Sequence, residues 1–296
     1  MKQLFKKENP IGYCLFPVLV FLVGKQLVYE LLMTIAQEVF PFLQEGVGIL
    51  VNGLADVVMI PVMWKWFLSG QSGGFIHAVL PEGACQRTGQ SDRPFLQYPA
   101  AGVRQILMLC LLGVSVCLAG NGLIQLTGLT SLFAGDYSNT METLYGGTLW
   151  LQIFWMVIAA PVAEELVYRR ILYGRIREYC DVFRAAAGAS LLFGVTHGFV
   201  LQGTYSFLLG MVLCFLMERY RAMYPSVVVH MAANFCSVAV TFCIPVQNWL
   251  SDRRHFAITA LLSVIVCILI TGYLVKTAQK SDMQDQESIT NKNSKV

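Results

Sequence analysis

Long apolar runs alternate with short polar connections along this chain, and most of the runs are long enough to cross a bilayer. Eight stand out, at about 11–33, 46–68, 103–127, 146–170, 185–201, 203–218, 224–245 and 256–275. A helix needs about 20 residues to span ~30 Å of hydrocarbon. No water is available there to satisfy backbone polar groups, so each run is predicted to be a helix. Composition agrees, with 56% apolar and 13% charged residues and a mean hydropathy of +0.59, where soluble domains carry about 25% charge. The expected fold is all-α, a polytopic membrane bundle of about eight transmembrane helices forming a single domain over 1–275. The polar, aromatic-free stretch 276–296 is expected to be a disordered tail.

Basic residues orient the runs. Lys2, Lys6 and Lys7 precede the first; Lys65, Arg87, Arg93 and Arg104 surround the connection between the second and third; Arg169, Arg170, Arg175, Arg177 and Arg184 follow the fourth. Arg219 and Arg221 follow the sixth, and Lys276, Lys280, Lys292 and Lys295 follow the eighth. All fall on one side of an eight-span arrangement, whereas the opposite connections hold only Arg253 and Arg254, so both termini are expected in the cytoplasm. The net charge of +3 reflects this asymmetry, and no basic patch interleaved with aromatics points to nucleic acid. Only Lys25 is left inside a span among the cations.

The first run continues to about Met33 without a small-residue cleavage site, which reads as an uncleaved span. Nine cysteines, mostly within spans and without a Cys-x-x-Cys pair, are expected to be reduced packing residues. The glycine-rich connection 69–102 is either a lid or a plain loop. No internal repeat of the kind that marks inverted-repeat transporters is visible.

Chemistry concentrates in the second half. Glu164 and Glu165 end the fourth run, with Arg169 four residues after Glu165. Carboxylates within a membrane cost roughly 2.5–3.5 kcal/mol each on insertion scales, so they need a partner or a task. The i,i+4 spacing lets Glu165 pair with Arg169. Glu164, about 100° around the helix, has no in-helix cation; the alternative is that both glutamates reach out to the interface. His197 lies in the fifth run within Phe193-Gly-Val-Thr-His197, and His230 and Asn234 share a face of the seventh. A carboxylate, two imidazoles and a carboxamide on three spans supply an acid or base, hydrogen-bonding or metal-ligating groups, and an amide suited to an oxyanion. Counted from Arg169 and Tyr224, Glu164 and His230 lie ~8–9 Å in from the basic edge, whereas His197, counted from Arg184, lies ~20 Å in.

Taken in order, Glu164-Glu165-x-x-x-Arg169, Phe193-x-x-x-His197 and His230-x-x-x-Asn234 resemble the three signature motifs of the CAAX prenyl protease and bacteriocin-processing family (CPBP, or Abi). The resemblance covers about 146–245. It implies an intramembrane endopeptidase with its site in a helical cavity open to the cytoplasm, in a bacterial cell membrane. It further implies that Glu164 activates the attacking water, that His197 and His230 bind that water or a metal, and that Asn234 helps hold the oxyanion. Glu165 and Arg169 would brace the site. The implied partners are the bilayer and a peptide or protein substrate, with or without a C-terminal lipid. Glu164, His197 and His230 can hold zinc with an open position, yet the same residues serve metal-free glutamate catalysis, and no His-Glu-x-x-His occurs. Two other classes stay open: a proton-coupled transporter, because intramembrane Glu and His also build proton relays, and a catalytically silent immunity or scaffold protein of the same fold.

Overall fold

A computed structural model of the chain describes residues 9–39, 46–67, 102–133, 135, 147–198, 200–220 and 222–293, without side chains from 277 onward. The connection 69–101 lies outside the described residues. Every regular element among the described residues is helical: α1 (Pro10–Val39), α2 (Val47–Phe67), α3 (Val103–Leu126), α4 (Leu149–Ile176), α5 (Val182–Val195), α6 (Val200–Tyr220), α7 (Tyr224–Phe242), α8 (Ile244–Ser251) and α9 (Arg253–Asn293), with a short turn of helix at Leu129–Leu132. The helical backbone of α9 continues into the polar stretch beyond Lys276.

Seven of these helices are long and apolar enough to cross a membrane. The multi-span bundle read from the sequence is present, but the fifth run departs from the expected 185–201 span. Only 14 residues of it, α5, are helical, about 21 Å at 1.5 Å per residue and short of the ~30 Å core. Its chain leaves the helix after Val195, Gly198 takes a positive φ of 79°, and the chain returns as α6. The two arms pack tightly at their tip: a Cβ added to Gly194 would come 2.6 Å from the Gly203 carbonyl oxygen. Small residues permit such backbone contact between helices in lipid. Asp181 caps the base of the hairpin, accepting the Arg184 N–H at 3.0 Å.

Burial ranks the helices. Of the most apolar window of each, 22% is buried in α1 and α9 but 56% in α4, so α4 is the axis of the bundle. Leucines 19, 27 and 31 of α1 and 261, 262 and 269 of α9 stay exposed; such a belt of apolar side chains has its natural solvent in lipid. On α1, Lys25 reaches Asp56 of α2 at 2.7–2.8 Å. The start of α1 (Tyr13 with Arg175), the base of the α5 hairpin and the far part of α9 (Leu274 with Arg219) share one end of the bundle. That basic end therefore receives both the first helix and the last.

The axis helix is not a uniform α-helix. Residues Ile153–Ala159 and Glu165–Tyr173 form π-helical stretches around an α-helical Ala160–Glu164. π-turns are rare and gather at functional sites. In the first stretch the Ala160 N–H bonds to the Trp155 carbonyl, five residues back. The next donor in that register, facing the Met156 carbonyl, would be residue 161, a proline with no N–H.

Candidate active site

Glu164 and Glu165 sit at the junction between the α-helical and second π-helical parts of α4. Both address the same imidazole, that of His230 on α7. Glu165 Oε1 accepts from His230 Nδ1 at 2.9 Å and forms an ion pair with Arg169 at 3.2 Å. A carboxylate in this role can only accept, so Nδ1 carries a proton, and in the neutral imidazole that leaves Nε2 with its lone pair. Glu164 Oε2 lies 3.7 Å from that Nε2, too far for a direct hydrogen bond and close enough for one water to touch both. A line Arg169–Glu165–His230–Glu164 results. Its first three members are almost wholly buried, while the Glu164 side chain keeps 16% exposure.

Phe193 organises the neighbourhood. The Arg169 guanidinium lies 4.1 Å above its ring; the imidazoles of His197 and His230 meet it edge-on at 4.6 and 5.9 Å. His197 occupies the turn of the α5–α6 hairpin, where its Nδ1 donates to the Phe193 carbonyl at 2.7 Å and Nε2 remains uncommitted. Tyr168 of α4 and Thr196 of the turn share a 2.7 Å hydrogen bond, which ties the hairpin tip to the axis helix. Asn234, one turn beyond His230, donates its amide to the Met156 carbonyl at 2.7 Å. This is the carbonyl that Pro161 leaves without a helical donor. The carboxamide read from the sequence as an oxyanion group thus spends one of its two N–H groups on α4 and keeps one.

Glu164, His197, His230 and Asn234 all line one cavity of about 680 Å³. The depths read from the sequence are corrected by the burial of Arg169, which is 1% exposed and cannot mark the membrane edge. Counted instead from Arg177, which pairs with Glu218 at the base, Glu164 is 13 residues in, ~20 Å. That matches the count for His197, and Tyr224 marks the edge for His230 no better than Arg169 did for Glu164, because Tyr220, Ala222 and Met223 beside it are buried. Among the described residues no three His, Cys, Asp or Glu side chains are gathered as a ligand set for a metal ion.

Two groups escaped the sequence reading. Asp56 is fully buried, and besides Lys25 it accepts from the indole Nε1 of Trp155 at 3.2 Å; Trp155 is also a cavity wall. The signal was available, since a carboxylate in the middle of the second run is as costly as one in the fourth. Tyr168 and Thr196 carried no signal, because a tyrosine and a threonine near helix ends are unremarkable until the two ends meet.

Residues 146–236 match the Rce1-like family of type II CAAX prenyl endopeptidases. The resemblance read from the motifs is therefore borne out over a segment that contains every motif residue. A protein of Bacillus subtilis (strain 168), YdiL, described provisionally as a membrane peptidase, is 26% identical over 103 residues, 35% of this chain and 42% of its own length. The chain thus matches less than half of that relative. No solved structure matches the chain.

Proposed function

We propose that this is an integral-membrane endopeptidase that hydrolyses a peptide bond with water activated by Glu164, in a cell membrane with both termini in the cytoplasm. The observation that carries the reading is a cavity-facing carboxylate set 3.7 Å from a histidine whose other nitrogen is held by a buried carboxylate–arginine pair. A water at about 2.8 Å from both Glu164 and His230 Nε2 closes a triangle with that gap. Glu164 takes one proton from it, and the resulting hydroxide adds to the substrate carbonyl carbon. The free N–H of Asn234 meets the developing oxyanion, and Glu164 returns its proton to the leaving amine as the C–N bond breaks. His197, its Nδ1 already donated to Phe193, lines the same cavity from the hairpin side. Glu165 and Arg169 keep His230 in its tautomer and orientation, as the third member does in other acid–base arrangements.

No step of this scheme passes through a metal. The test compares membrane proteomes of cells carrying the native protein and Glu164→Gln. Precursors that accumulate only with the variant, and that purified native protein then cleaves, support the proposal. Identical proteomes together with no hydrolysis by purified protein sink it.

A further inference from the structure

We propose that Cys117 of α3 and Cys236 of α7 are an oxidisable dithiol, a modification site whose disulfide pins one wall of the catalytic cavity and slows the enzyme. The two helices run side by side in a fixed register. The Gln105 amide donates to the Tyr224 hydroxyl at 3.1 Å across a spacing of 119 residues. The same spacing of 119 separates Gly113 from Ala232 and Cys117 from Cys236. At Gly113 the helices touch: an added Cβ would stand 2.4 Å from the Val229 carbonyl oxygen and 2.7 Å from the Ala232 Cβ. Cys117 and Cys236 lie one turn further along each helix, on the same faces, within one buried cluster. Both are free thiols, and they are hydrogen-bonded to each other. Cys117 is also a cavity-lining residue, and its sulfur accepts from the Asn121 amide at 3.7 Å.

A peroxide is the oxidant that closes this pair. Cys236 is the more exposed of the two, at 8% against 2%. Its sulfur breaks the O–O bond and becomes a sulfenic acid, and one water leaves. The Cys117 sulfur then attacks that sulfur, the S–O bond breaks, and the oxygen departs as a second water with the Cys117 proton. Two electrons pass from the thiols to the peroxide, and a reducing dithiol returns them. An S–S bond is only ~2.05 Å long, so forming it draws the two side chains closer than a thiol hydrogen bond does. Gly113 and Ala232 already touch, so the helices pivot there and the pull falls beyond them. Asn234 lies between that pivot and the new bond, with its amide on the Met156 carbonyl of α4. A shift of about 1 Å in the support of a reacting group costs up to about 10² in rate. Only this effect on rate rests on the peptidase reading; the bond itself does not.

The test uses purified full-length protein in detergent and hydrogen peroxide, at a dose that oxidises the partly exposed Cys180. Remaining thiols are alkylated, the protein is digested without reductant, and linked peptides are mapped by mass spectrometry. The expected products are a peptide joining residues 117 and 236 and a raised midpoint of thermal unfolding, since the link removes freedom from the unfolded chain. Hydrolysis should fall at least tenfold, and dithiothreitol should reverse all three changes. Cys236→Ala, with Cys236→Ser in its place if alanine lowers the midpoint before oxidation, should show none of them. Absence of the 117–236 peptide overturns the proposal, as does a linked protein with undiminished rate or an equal loss of rate in the variant. If the native protein hydrolyses nothing before oxidation, the peptidase reading falls, and the linked peptide with its midpoint shift decides the dithiol alone.

Discussion

At the scale of single residues, the two adjacent glutamates are chemically alike and differ only in what surrounds them. Glu164→Gln keeps the shape and removes the base, so hydrolysis should drop to background while the thermal midpoint in detergent stays within a degree or two. Glu165→Gln leaves Arg169 buried without its counter-charge, a change that costs about 3–5 kcal/mol for buried pairs, and it should lower the thermal midpoint and the yield before any assay is run. Equal effects of the two substitutions on folding and on rate would refute this division. The histidines allow a separate test of the metal-free scheme. Purified protein with less than about a tenth of an equivalent of transition metal should retain full activity after chelation, and His197→Ala or His230→Ala should each cost on the order of 10²–10³ in rate, as for a lost transition-state hydrogen bond. Reversible inactivation by chelator, with affinity falling as pH drops through ~6.5, would instead mean that both imidazoles bind metal in their neutral form.

Among the elements, α4 and the α5–α6 hairpin deserve comparison because each departs from a simple spanning helix for a nameable reason. Proline at 161 withholds a donor from the Met156 carbonyl, and Asn234 on α7 supplies it. Restoring the donor with Pro161→Ala lets α4 satisfy that carbonyl itself and frees Asn234. The expectation is a rate reduced about tenfold with stability unchanged or raised, and strong non-additivity with Asn234→Ala in a double-mutant cycle. Independent effects of the two changes would show that the interhelical bond does not position the amide. In the hairpin, Gly203→Ala would bring a Cβ to 2.8 Å from the Gly194 carbonyl oxygen. Backbone cannot give way as a flexible side chain does, so a loss of about 1–3 kcal/mol is expected, read as a lower midpoint of thermal unfolding. The rate should fall as well, since His197 sits on the turn that the glycine contact closes. The sequence offered two runs here, 185–201 and 203–218, with almost nothing between them; the first shortens to 14 helical residues and the second lengthens to 21. Their reversal inside the membrane was not legible, because it depends on Gly194 and Gly203 meeting across a turn.

For the whole molecule, the Lys25–Asp56 pair joins α1 to α2 and reaches the cavity wall through Trp155. Asp56→Asn leaves an ammonium inside the bundle with only an amide for company and should destabilise the protein by several kcal/mol, whereas Lys25→Met together with Asp56→Leu should recover most of the loss, since replacing a whole buried pair with apolar groups is often neutral. Thermal unfolding of the three variants checks this. A single variant as stable as the native protein would show the pair to be solvated. The multi-span, all-helical class and the excess of cations at one end could be read from the sequence because each rests on transfer costs that add residue by residue along the chain. The motif set was legible for the related reason that intramembrane Glu, His and Asn are few and expensive. Depth was not. Arg169 looks like an edge marker in sequence and becomes a buried cation only when Phe193 and Glu165 close around it. Likewise, the cavity exists only because side chains from seven helices meet in space, and no property of any one segment contains that outcome.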